Sequence, residues 1–238
     1  MSKLFNKTKV LKTSKYKEDL PFEKEIKRLP ALEKGRGLWQ NDFHEFDVYD
    51  HTLKFVEYIK QLSEANGLPL DPNIVAAAYL HDIGKMVVAK EKIKNGVLLE
   101  KEPGKPYHEF MTHEIVGAQM VKEMSPDFFI RFDLDQEKIS KLVGAHYIPL
   151  NGLIQMRKTK NYKNFLDKYN ELKKILDETK LPRNEVMELF LADSYAKGNS
   201  CSDLPELMKV REVIMSGGKE KKMRELYDLQ KALYKGKE

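Results

Sequence analysis

The chain has one cysteine, Cys201, so it cannot close an internal disulfide, and a reducing compartment is the expected setting. It has no run of 18 consecutive apolar residues, so no membrane-spanning helix is expected. The opening residues, MSKLFNKTKVLKTSKYK, contain no apolar stretch of signal-peptide length. These absences together predict a cytoplasmic protein. A glycine-rich phosphate loop is also missing. The nearest candidate, SGGKEKK at 216–222, lacks both the leading glycine spacing and the Ser or Thr after lysine. No glycine-serine turn followed by paired aspartates occurs anywhere upstream. Phosphoryl transfer from ATP and nucleotide addition are therefore not expected. Neither a repeat of 20–50 residues nor a low-complexity tract interrupts the chain.

What is present suits a soluble protein with one substantial core: 238 residues, 41% hydrophobic and 33% charged. The formal charge of +5 is unevenly spread, with nine Lys or Arg against four acids in residues 1–29 and a lysine-rich C-terminus. Such ends can attract phosphate-bearing partners, RNA included, or can simply be a solvated tail and helix face. Charge alone does not decide between these. Helical periodicity dominates from residue 50 onward. It predicts helices over 51–62, 74–82, 112–124, 136–147, 161–179, 183–197, 204–215 and 219–234. Asn95-Gly96, between short alternating runs, predicts a β-hairpin insert near 86–99. The expected architecture is all-α: a basic N-terminal extension over 1–40, a helical core over 41–200, and C-terminal helices over 201–238 that pack on the core or extend it.

The histidines fall in a pattern. Only six are present. His51 precedes Phe55 and Ile59 on one helical stripe, and His113 precedes Val116, Gly117, Met120 and Val121. His146 closes the series Ile139, Leu142, Val143; Asp193 closes Val186, Leu189, Phe190 with the same spacing. The adjacent pair His81-Asp82 ends the apolar segment AAAYL. Taken singly, each could be a hydrogen-bonded core side chain or a salt-bridged carboxylate. Uncompensated imidazoles and carboxylates are costly to bury, however, and the coincidence recurs on five predicted helices. One metal centre explains all six residues.

The pieces DVYDHTL (47–53), LHDIGK (80–85), THEIVGA (112–118), LVGAHYIP (142–149) and LADSYAKG (191–198) occur in order. In this the chain resembles the HD superfamily of metal-dependent phosphohydrolases, and within it the HD domain attached to bacterial tRNA nucleotidyltransferases. The resemblance covers roughly residues 44–198. It implies an all-α helical bundle with metal ligands at His51, His81, Asp82 and Asp193. Members with a second metal have further histidines that correspond here to His113 and His146. Those two remain open between ligating a second ion and serving as neutral donors or acids toward the substrate phosphate. A ligand set of imidazole and carboxylate suits Mn, Fe, Co, Ni or Zn better than Mg or Ca.

The implied activity is hydrolysis of a nucleotide or RNA-end phosphoester, of the phosphatase or 2′,3′-cyclic phosphodiesterase type rather than the triphosphohydrolase type. Asp82 is expected to be ligand and catalytic residue. Lys85 is expected to stabilise phosphate charge, the alternative being an exposed lysine after Gly84. Arg157 and Lys158 are candidate phosphate contacts, the alternative being a solvated basic loop. His44 and His108 are expected at the surface or behind the ligands. A competing reading is a non-catalytic module that binds nucleotide or RNA through the same pocket.

Overall fold

The computed structural model describes residues 18–65, 67, 69–198 and 204–234. Cys201 and the first 17 residues lie outside them. Two short helices open the described chain, α1 (Glu23–Ile26) and α2 (Pro30–Glu33). They are followed by α3 (Val48–Ala65), α4 (Pro72–Leu80) and α5 (Lys85–Val88). Next come α6 (His113–Glu123), α7 (Pro126–Arg131), α8 (Gln136–Ala145) and α9 (Ile148–Arg157). The last four are α10 (Tyr162–Glu178), α11 (Arg183–Ala196), α12 (Leu204–Met215) and α13 (Glu220–Tyr234).

The central helix is α4, and its sequence says why. Asp71 caps it by accepting from Asn73 N at 2.8 Å, Pro72 stands in its first turn, and Ile74 to Leu80 are all buried. A helix that is apolar all round belongs inside, and three successive alanines let neighbours approach closely. It packs against α3 and α8, while α6 packs on α8 and α11 on α3. α3 begins three residues before the predicted start at His51, because Asp47 accepts from Asp50 N at 2.8 Å and starts the helix there. Phe22, Ile26 and Leu32, within the stretch that the sequence presents as an extension, are buried in the same core. Glu23 is buried beside them, accepting from Tyr79 Oη at 2.7 Å and pairing with Lys60 at 2.6 Å.

The all-α expectation holds, and the β insert is larger than the expected hairpin. β2 (Ile93–Lys94) and β3 (Val97–Leu98) do form a hairpin about Asn95 and Gly96, both with positive φ as a type I′ turn needs. Around it, β4 (Glu100–Glu102) pairs with β5 (Lys105–Pro106), and β1 (Lys90–Glu91) pairs with β6 (His108–Glu109). Residues 85–88, partly inside the predicted hairpin, are helical instead. Strands of two or three residues, some as charged as Glu-Lys-Glu, carry too little alternation to be read in advance. The insert leans on the segment before α3. Tyr107 bridges Trp39, His108 N donates to Trp39 O at 3.0 Å, and Tyr107 Oη donates to Asp42 at 2.7 Å.

Candidate metal centre

Six ligand-competent side chains meet where helix ends converge. His51 lies in the first turns of α3, and His81 caps the C-terminus of α4 with Asp82 next to it. His113 is the first residue of α6, His146 caps the C-terminus of α8, and Asp193 lies near the end of α11. All six are buried. The ligand atoms of His51, His81 and Asp193 lie within 4.8 Å of one another, and so do those of Asp82, His113 and His146. Asp82 joins the two groups: its Oδ2 is 3.0 Å from His81 Nε2, and its Oδ1 is 3.4 Å from His113 Nε2.

The helix termini also orient the rings. His81, His113 and His146 each have Nδ1 against the backbone carbonyl three residues earlier, at 2.8 Å (Ala78), 2.8 Å (Phe110) and 2.6 Å (Val143). A ring that donates Nδ1–H there turns Nε2, with its lone pair, toward the carboxylates. Burial pushes His146 below the ordinary imidazole range, and His113 down to about 3, so both are neutral near pH 7. Burial likewise lowers His51. For Asp82, burial acts to raise the carboxyl, but its neighbours His81 and Lys85 outweigh it and hold Asp82 well below the usual carboxylate range. Asp193 behaves alike: burial opposes ionisation, while Lys197 and the hydrogen bond with His51 keep it ionised.

These residues fit a divalent cation. Imidazole lone pairs and carboxylate oxygens are all acceptors, and acceptors facing one another at 3.0–3.8 Å are satisfied only by something positive between them. One of the atoms concerned, Asp82 Oδ1, is buried with no hydrogen-bond partner among the described residues. The nitrogen and oxygen donor set suits Mn, Fe, Co, Ni or Zn.

The site opens into a cavity of about 600 Å³. Asp82, His113, His146 and Asp193 form part of its wall, together with Lys85, Phe110, Tyr147 and Lys197. The exposed alternative for Lys85 is overturned. Its side chain is buried, with Nζ 2.7 Å from Asp82 Oδ2, 2.6 Å from Gln40 Oε1 and 5.2 Å from the centre of the Phe110 ring. Arg157 lines the cavity and also donates Nε–H to the buried Glu206 carboxylate at 3.0 Å. Lys158 is exposed and does not line the cavity. His44 and His108 stand half-buried on the cavity wall, His44 with its ring 5.3 Å from that of His51. Sequence reasoning does not find Gln40, Phe110 or Lys197. The first two come from segments without periodicity. Lys197 lies four residues after Asp193, a spacing that could flag it.

A family model for the HD domain matches residues 48–197, more than half of the chain. Among curated proteins, the A-adding tRNA nucleotidyltransferase of Deinococcus radiodurans is 29% identical over 180 residues, covering 74% of this chain and 34% of that protein. The chain thus spans about a third of the length of the relative it matches. No solved structure matches.

Proposed function

The chain belongs to the HD domain family, and from that membership we propose that it is a metal-dependent phosphohydrolase. Its substrate is a phosphomonoester or phosphodiester of a nucleotide or RNA end, of the phosphatase or 2′,3′-cyclic phosphodiesterase type. The tRNA-directed activity named for the relative supports a nucleotide or RNA substrate. The observation that carries the reading is the pair of buried donor triads joined at Asp82 on the wall of a cavity of about 600 Å³. A module that only binds nucleotide does not require six ligand-competent groups. The lone Cys201 supports a cytoplasmic setting, and no described helix is long and apolar enough to cross a membrane.

In this reading His51, His81 and Asp193 would hold one ion, and Asp82, His113 and His146 would hold a second. A bound divalent ion supplies Lewis-acid polarisation of a phosphoryl oxygen and a water of lowered pKa. The protein does the rest. The carbonyls of Ala78, Phe110 and Val143 hold the rings so that Nε2 faces inward without reorganisation. Lys85, positioned by Asp82 and Gln40, stabilises the charge that grows on the phosphoryl oxygens as water oxygen bonds to phosphorus and the ester P–O bond breaks. The leaving oxygen takes up a proton. Arg157, on the cavity wall, is assigned to the substrate's phosphate or an adjoining one; no contact is assigned to Lys158.

The test is hydrolysis of bis(p-nitrophenyl) phosphate, p-nitrophenyl phosphate and 2′,3′-cyclic AMP by protein loaded with Mn, Co or Ni. Metal-dependent turnover that EDTA removes is the expected result. A fully loaded protein that turns over none of the three overturns the reading and leaves the binding module.

A further inference from the structure

Gln40 lies outside the residues matched by the family model, and its place in the site is unusual for a neutral side chain. It is 2% exposed and lines the cavity. Its Oε1 accepts from Lys85 Nζ at 2.6 Å, and the same Nζ donates to Asp82 Oδ2 at 2.7 Å. The amide is therefore two hydrogen bonds removed, through one ammonium, from the carboxylate that joins the two donor triads.

That contact settles which way the amide points. An ammonium has donors only, so the oxygen must face Lys85; turning the amide over would set NH2 against NH3⁺. Nε2 then carries two N–H donors on the other side. It is buried and has no acceptor among the described residues. A buried amide without an acceptor is costly, and natural structures satisfy nearly all such groups, so this one calls for a partner to complete it. Only an acceptor can do so here, which excludes a cation as the partner. With the Lys85 charge adjacent, the acceptor favoured is an anionic oxygen.

The backbone around Gln40 is held in place. Trp39 O accepts from His108 N at 3.0 Å, and Lys101 Nζ stands 4.1 Å from the centre of the Trp39 ring. The β insert thus anchors the backbone of the residue next to Gln40.

We propose that Gln40 is a substrate-binding residue: its Oε1 holds the Lys85 ammonium, and its Nε2 donates to a non-bridging oxygen of the phosphoester. The inference rests on the phosphohydrolase reading for the identity of the ligand, but it is tested separately, by binding of the simplest phosphate. Inorganic phosphate is titrated calorimetrically into Mn-loaded protein, with metal content measured for every variant.

Gln40→Glu keeps an acceptor for Lys85 and removes the donor, and is expected to weaken phosphate binding about 10-fold or more. Because the new carboxylate also repels phosphate, the second comparison is made without added charge. In a Lys85→Met background Gln40 has no lysine to hold, so adding Gln40→Met is silent if Gln40 acts only through Lys85. A donor to phosphate predicts a further loss of about 10-fold. Equal phosphate affinity of Lys85→Met and the double variant, or wild-type affinity in Gln40→Glu, overturns the proposal. If phosphate binding follows the expected pattern but no ester is hydrolysed, the phosphohydrolase reading falls and the Gln40 contact stands. If esters are hydrolysed while the Gln40 substitutions leave phosphate affinity unchanged, the Gln40 contact falls and the phosphohydrolase reading stands.

Discussion

Gly84→Ala tests how the second donor triad is held. Gly84 has φ −68°, which any residue tolerates, so backbone strain does not explain it. Space does. A Cβ built on Gly84 would lie 2.6 Å from Gly117 N and nearer still to the carbonyl oxygen of His113. Even a weak C–H···O contact needs about 3.3 Å, so α5 and α6 would have to part by at least about 0.7 Å. Both obstacles are backbone, which cannot rotate away. Overpacking of this kind costs about 1–3 kcal/mol, or roughly 2–12 °C in the unfolding midpoint of a chain this size. His113 opens α6, so moving its carbonyl moves its ring, whose Nε2 is 3.4 Å from Asp82 Oδ1. Gly84→Ala should therefore lower metal stoichiometry by about one ion per chain, assayed by plasma mass spectrometry alongside thermal unfolding. Wild-type metal content together with a wild-type midpoint would refute the idea that close backbone approach builds this half of the site.

Asp82→Ala should lose phosphoester hydrolysis and most bound metal, since both donor groups depend on that carboxylate; a variant with full metal content and turnover would reject the centre. His113→Ala and His146→Ala should each remove about one ion while sparing the other, read by metal analysis. Full metal content with lost turnover would instead make them phosphate donors or acids. Glu206→Ala should destabilise by up to about 3 kcal/mol in urea unfolding, because it strips a fully buried acceptor from Arg157, Gln230 and Tyr234. Metal-free protein should be less stable at pH 5 than at pH 7.5. The folded pKa values of His51, His113 and His146 lie below the ordinary 6.5, so their contribution is complete above that value. It is lost as pH falls toward about 3, the value for His113; equal midpoints at the two pH values would contradict the burial assigned to these rings.

The candidate ligands are legible because each lengthens a buried helical stripe, and a stripe is a local pattern. His146 at the end of Ile139, Leu142 and Val143 can be placed on the core side from spacing alone. Two features of the site have no such signature. Gly84 looks like an ordinary turn glycine, and the need for it exists only once α5 and α6 are packed. Gln40, Phe110 and the two half-buried histidines, His44 and His108, come from segments without period, joined through single contacts such as Trp39 with Tyr107. The sequence offers Lys85 as a phosphate contact with an exposed alternative; only the fold shows it buried between Asp82 and Gln40. Arg157 stands out in the sequence for its charge, and nothing local announces Glu206, 49 residues on, as its partner.

The construction separates two tasks that a single helix could not perform together. Helix ends hold the ligands. At the ends of α4 and α8 the last carbonyls accept Nδ1–H from His81 and His146, and the loop carbonyl of Phe110 does the same for His113. The apolar stripes behind them, including Phe55 edge-on to His81 with ring centres 4.3 Å apart, exclude water and make a buried carboxylate pair costly without a cation. The insert and the segment before α3 instead line the cavity with side chains that belong to neither donor triad, among them Gln40, Lys92, His108 and Phe110. Substitutions among the stripes should therefore act first on metal content and stability. Substitutions in the insert should act first on which phosphoester is taken, so shortening the hairpin between Lys92 and Leu99 should shift relative rates across the three test esters while metal content stays constant. A shortened insert that costs metal but leaves relative rates unchanged would place selectivity elsewhere.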